Sequence, residues 1–259
     1  MFVQNQSLYI TAEPNRTITR LFLMLLAAET GLVLLDGFIY YGRVIELYHV
    51  TKIFGITAET SLGTWLSSML FFLVAVTLWL IARAVKLRGS KWKTLDWHTF
   101  SLLFIYLSID DTAKIHERVG SALEAYAGSP WNGELAPVRW AVHYFPSYNW
   151  QIVYIPVLGI LGLGLFVLLW RNFNSALLKT LLVFAAGCMA VSQGLDFIEG
   201  LTTAVGPVHP VAALENQTIR HFTMVLEEFL EMFGITLLLT ALLRHLMCIT
   251  AVTDNSTGE

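Results

Sequence analysis

The sequence predicts an all-α, polytopic membrane bundle of about six transmembrane helices, and three observations carry that reading. Of the 259 residues, 56% are hydrophobic and only 14% are charged, which excludes an ordinary soluble domain and any disordered class. The mean hydropathy is +0.62. The apolar residues also gather into stretches long enough to span roughly 30 Å of hydrocarbon at about 1.5 Å per residue. The net charge of −3 and the lack of any basic run beyond Lys86 to Lys93 leave no nucleic-acid footprint. Cys188 and Cys248 sit far apart in apolar segments, so neither a disulfide framework nor a thiolate metal motif is expected.

The expected spans are approximately residues 19–41, 62–85, 95–117, 150–170, 177–199 and 218–243, within a single domain covering 1–259. Before the first, Met1 to Thr17 are of mixed polarity without a basic n-region, so that span is read as a retained helix. Glu59 opens the second, where an acid in the first turn suits the helix dipole. The third is purely apolar only to Ile109, and Ile115, Val119, Leu123 and Tyr126 then continue it amphipathically. This spacing predicts one long helix leaving the membrane. The connection from Ala127 to Asn149, with Trp131, Trp140, Tyr144 and Tyr148 among its aromatics and prolines, suits the headgroup level, and Trp150, Tyr154 and Pro156 open the fourth span. No tandem repeat is present.

Basic residues near helix ends favour the cytoplasm. Placing both termini there puts ten of the sixteen lysines and arginines inside, five of them in the connection between the second and third spans. The acids then sort to the opposite side: fourteen of nineteen fall in the outer halves or outer loops, and Glu29 lies near the middle of the first helix. Asp36, Asp110, Asp111, Asp196, Glu228 and Glu231 come out roughly 5 to 20 Å below the outer boundary by helical rise. A charged group at the centre of a membrane helix costs roughly 2.5 to 3.5 kcal/mol on insertion scales, so such a layer is a functional site by default.

Around the sixth helix, His221, Glu227, Glu228 and Glu231 fall within an arc of about 120°, and carboxylates so crowded repel unless protonated or bridged by a cation. On the third, Asp110, Lys114 and Glu117 share a face, whereas Asp111 and His116 point about 100° and 120° away on opposite sides. On a straight helix they cannot all meet one ion. The fifth adds Ser192, Gln193, Asp196 and Glu199, and Asp36 comes from the first. Carboxylate oxygens with one or two imidazoles suit a divalent zinc, manganese, iron or calcium ion. No H-E-x-x-H is present, and the lone E-x-x-H, Glu46 to His49, lies outside the expected spans.

The expected metal ligands are Asp110, Asp111, His116, Asp196, Glu199, His221, Glu228 and Glu231, with Glu117 and Glu227 as general bases or proton carriers. Asp36 and Glu29 are further buried acids. In an enzyme, the ion activates water or polarises an ester or phosphoryl oxygen of a lipid-like substrate drawn from the bilayer. A cation- or proton-coupled transporter and a non-catalytic subunit binding a membrane-protein partner are the alternatives.

Glu59-Thr60-Ser61-Leu62-Gly63-Thr64-Trp65-Leu66-Ser67-Ser68, Leu107-Ser108-Ile109-Asp110-Asp111 with His116-Glu117, and Leu226-Glu227-Glu228-Phe229-Leu230-Glu231-Met232-Phe233-Gly234 together resemble a group of bacterial multi-pass membrane proteins of unknown function. The resemblance implies a bacterial inner-membrane location and no particular activity. Likeness to ceramidase and adiponectin-receptor type membrane hydrolases is architectural, because the paired histidines of their last helix have no counterpart here.

Overall fold

The computed structural model describes residues 4–42, 52–58, 60–87, 91–128, 136–203 and 217–256. Among them nearly all are helical and none forms a strand. Glu59, His209 and the stretch Glu46 to His49 lie outside the described residues. The helices are α1 (Gln4–Gly42), α2 (Leu62–Leu87), α3 (Lys91–Ala113), α4 (Ile115–Gly128), α5 (Ala136–Tyr144), α6 (Gln151–Asn172), α7 (Ala176–Thr203) and α8 (Gln217–Ser256).

Five of these are long and apolar enough to cross a membrane: those at Asn15–Gly42, Leu62–Leu87, Gln151–Asn172, Ala176–Leu201 and Gln217–Ala251. α3, which overlaps the expected third span, is not among the five. It packs along α2 all the same. Ser68 Oγ donates to the Ser108 carbonyl at 2.7 Å, and Ser101 Oγ donates to the Ala75 carbonyl at 2.8 Å. The two pairs run in opposite directions along the chain, so α3 lies antiparallel to α2 and covers the same length.

The core is built on α2 and α8. Leu70, Val74, Leu78 and Ile81 recur every three or four residues on α2 and are buried, as are Met232, Ile235, Leu239 and Leu242 on α8. α8 packs against α1, α2 and α7, while α3 covers the other side of α2. Gly234 permits the closest approach of α8 to α7: a Cβ there would sit 3.2 Å from both the Ala185 carbonyl oxygen and Cys188 Cβ. On α1, α6 and α7 many large apolar side chains point outward, among them Leu34, Phe38, Ile160, Leu163 and Phe184. That is the surface a helix presents to acyl chains rather than to water.

The expected single long third helix is broken. Lys114, between α3 and α4, has φ 52°, in the left-handed region where an L side chain is strained. Its N–H still closes the last turn of α3 on the Asp110 carbonyl at 2.7 Å, and its own carbonyl accepts from Arg118 N–H to start α4. α4 then runs back against the start of α6, where a Cβ on Gly120 would meet Trp150 N at 3.0 Å. The stretch from Ala127 to Asn149, expected as a loop, contains α5, on which Trp140 and Tyr144 are exposed.

Candidate functional site

The break at Lys114 resolves the conflict of directions on the third helix. Asp110 on α3 is 7% exposed; its Oδ1 accepts from the His116 backbone N–H at 2.9 Å and its Oδ2 pairs with His116 Nδ1 at 2.8 Å. One carboxylate thus caps α4 and orients the imidazole. With Asp110 ionised, Nδ1 carries the proton and Nε2 is left as the basic nitrogen. Nε2 lies 4.0 Å from Glu117 Oε1, too far for a hydrogen bond, and the ring edge rests on Trp150 with centroids 4.8 Å apart. Tyr106 and Tyr154 share a short hydrogen bond behind the pair, and Tyr106 reaches Asp110 Oδ1 at 3.5 Å.

Asp111 takes the neighbouring direction, towards α2 and α8. Ser67 Oγ on α2 donates to Glu231 Oε1 at 3.3 Å, and the same hydroxyl reaches Asp111. Glu228 interacts electrostatically with Glu231, Asp111, Asp196 and Lys114. Glu227 does so with Asp196, Glu228, Glu199 and Glu231. Asp196, from α7, receives Gln151 Nε2 at 2.8 Å and also feels Glu199, His116 and Glu117. Carboxylates from α3, α7 and α8 therefore share one neighbourhood, with His116 at its edge and Lys114, paired to Glu117 at 2.9 Å, as a cation beside it.

Several oxygens in this neighbourhood lack a protein partner. Asp111 Oδ2, Gln151 Oε1 and Ser192 Oγ are buried without a hydrogen bond, and Gln151 and Ser192 are 1% and 0% exposed. Ser192 stands one turn before Asp196 on α7. An unmet buried acceptor costs about 1 to 3 kcal/mol. An oxygen-rich donor set fits a hard divalent ion by its chemistry. By geometry the side chains stand apart: among the described residues no three His, Cys, Asp or Glu groups are arranged to hold a metal ion.

Other expected site residues are engaged elsewhere. His221 Nε2 pairs with Asp36 Oδ2 at 2.8 Å, and its ring stacks on Tyr40 with centroids 3.6 Å apart. Asp36 Oδ1 accepts from Ile56 N–H at 3.0 Å, so this second aspartate–histidine pair ties α1 and α8 to the segment before α2. Glu199 pairs with Arg220 at 3.1 Å while still facing Asp196 and Glu227. Glu29 bonds Thr236, away from the acidic layer. The site residues that sequence reasoning missed are Ser67, Gln151, Tyr106 and Tyr154. Ser67 lay in the motif Trp65-Leu66-Ser67-Ser68, and Gln151 was the polar residue opening an otherwise apolar span.

Fold and site define a class: a helical, multi-pass membrane protein with buried carboxylates gathered towards one end of the bundle. Residues 18–246 match the family described as Domain of unknown function (DUF8692), and the chain belongs to that family. No curated protein and no solved structure matches it.

Proposed function

We propose that the acidic layer binds a divalent cation and serves a hydrolase acting on lipid-like substrates, in a bacterial inner-membrane protein with both termini in the cytoplasm. The observation that carries this reading is the gathering of Asp111, Asp196, Glu228 and Glu231 from three helices around buried oxygens that lack partners. Asp111, Asp196, Glu228 and Glu231 would hold the cation, whose charge would offset their mutual repulsion. With α3 counted beside α2, the chain crosses the bilayer six times, which returns both termini to one side.

The bound ion would supply Lewis acidity towards an ester or phosphoryl oxygen. The chain's own part is general base catalysis: Asp110 holds His116 in the tautomer that leaves Nε2 free to take a proton from attacking water. Glu117, whose Oε1 is 4.0 Å from that nitrogen, would take the proton on once the two close to hydrogen-bond distance, and Glu227 would be a second proton acceptor in the cluster. Trp150 and Tyr154 wall the imidazole and limit bulk water.

Elemental analysis of the purified protein tests the reading. About one divalent ion per chain, lost in Glu228→Gln, together with lipid or lipid-phosphate hydrolysis lost in His116→Ala, supports it. Metal well below stoichiometry and unchanged in Glu228→Gln contradicts it.

A further inference from the structure

Glu29 stands outside the acidic layer. On α1 it faces α8 with 0% exposure, Thr236 Oγ1 donates to its Oε1, and its Oε2 has no protein hydrogen-bond partner. Within two turns of Glu29 or Thr236 along the helices, Phe22, Leu25, Leu32 and Val33 on α1 and Phe233 on α8 are apolar and pack against the core. The ionisable groups on the packed elements are distant in sequence. Outward, Glu231 comes five residues before Thr236 and Asp36 seven after Glu29; inward stand Arg20 on α1 and Arg244 on α8. α2 has no charged residue between Glu59 and Arg83, and α7 has none between Lys179 and Asp196. A bare carboxylate in such a place costs several kcal/mol, and the protonated acid avoids that cost.

A second buried hydroxyl stands inward of this acid. Thr240, 6% exposed and one turn along α8, donates to the Thr236 carbonyl at 2.8 Å. Another turn on, Arg244 donates to Thr19 Oγ1 at 3.1 Å, where α1 and α8 approach the inner end of the bundle. Thr77 on α2 is also buried at this depth of the core. The halves of the helices beyond Glu29 thus carry buried hydroxyls at Thr77 and Thr240.

We propose that Glu29 and Thr236 form a proton-binding site, separate from the acidic layer, which exchanges its proton with the inner side along the hydroxyls of α8. The proton leaves the carboxyl oxygen for a hydroxyl or water oxygen and returns the same way, with no bond to carbon made or broken. Intramembrane acids with polar steps on one side are the elements from which proton relays are built.

The test uses the full chain in lipid nanodiscs and infrared difference spectroscopy of wild type against Glu29→Gln, a nearly isosteric change. The expected result is a carbonyl stretch of a protonated carboxylic acid that disappears in Glu29→Gln and shifts on transfer to D2O, with Thr240→Val slowing the shift at least tenfold. A missing band, a band that never shifts in D2O, or an exchange rate untouched by Thr240→Val overturns the proposal. Should Glu29→Gln fail to fold, wild-type protein decides by reaction with a membrane-permeant carbodiimide. The acid O–H adds across the N=C bond and the O-acylisourea rearranges to a stable N-acylurea without a leaving group. An adduct on the α1 peptide at Glu29 supports the site, and adducts confined to other acids overturn it. Metal content in Glu29→Gln should match wild type, which separates this site from the cation site.

Discussion

Replacing Asp110 by alanine removes two interactions made by one side chain, and their sum can be worked out. The bond from Oδ1 to the His116 N–H is a helix cap, worth about 1 kcal/mol. The bond from Oδ2 to His116 Nδ1 is charge-assisted and part-buried, worth roughly 1.5 to 3 kcal/mol. Asp110→Ala should therefore cost about 2.5 to 4 kcal/mol, or about 5 to 16 °C in Tm at roughly 2 to 4 °C per kcal/mol for a chain of this size. Asp110→Asn retains the capping oxygen but turns an amide N–H towards the ring, so it should cost about half as much. Thermal unfolding in nanodiscs measures both, and combining Asp110→Ala with His116→Ala closes a double-mutant cycle whose coupling should be about 1.5 kcal/mol or more. A cycle with no coupling, or an asparagine variant less stable than the alanine one, would refute the paired geometry.

Three further outcomes follow from the same contacts. Glu228→Gln relieves like-charge repulsion, so without divalent ions it should unfold above wild type, while the Tm rise that wild type gains on adding such ions disappears. Gly234→Val forces a branched side chain against the Ala185 carbonyl and Met189 and should cost about 1 to 3 kcal/mol, read as lowered Tm with unchanged helicity by circular dichroism. Asp36→Ala strands the His221 ring nitrogen and the Ile56 N–H at the α1–α8 junction; the loss should be about 1 to 3 kcal/mol, with divalent-ion affinity measured by calorimetry unchanged.

Most of the architecture was legible because long apolar runs leave few options. The expected second, fourth and fifth spans meet Leu62–Leu87, Gln151–Asn172 and Ala176–Thr203 within a few residues at either end. The break at Lys114 was hidden for a physical reason. No glycine or proline marks it, and Ile115, Val119 and Leu123 continue a helical spacing, so the local pattern agrees with an unbroken helix. At the turn the Asp110 side chain satisfies the His116 N–H, one of the free N–H groups that open the next helix. The partners of the acids were equally invisible, because they come from far along the chain: Asp36 meets His221 across 185 residues, Glu231 meets Ser67 across 164 and Asp196 meets Gln151 across 45. Sequence spacing places residues on a helix face, and only the packing of α7 and α8 through Gly234 and of α2 against α3 decides which faces meet.

An anomalous difference map from crystals grown with manganese tests the central claim most directly. The account predicts one strong peak among Asp111, Glu228 and Glu231, with Asp196 or Gln151 drawn towards it. A map with no peak there, and with the same carboxylates still held apart by their serine, glutamine and lysine neighbours, contradicts it.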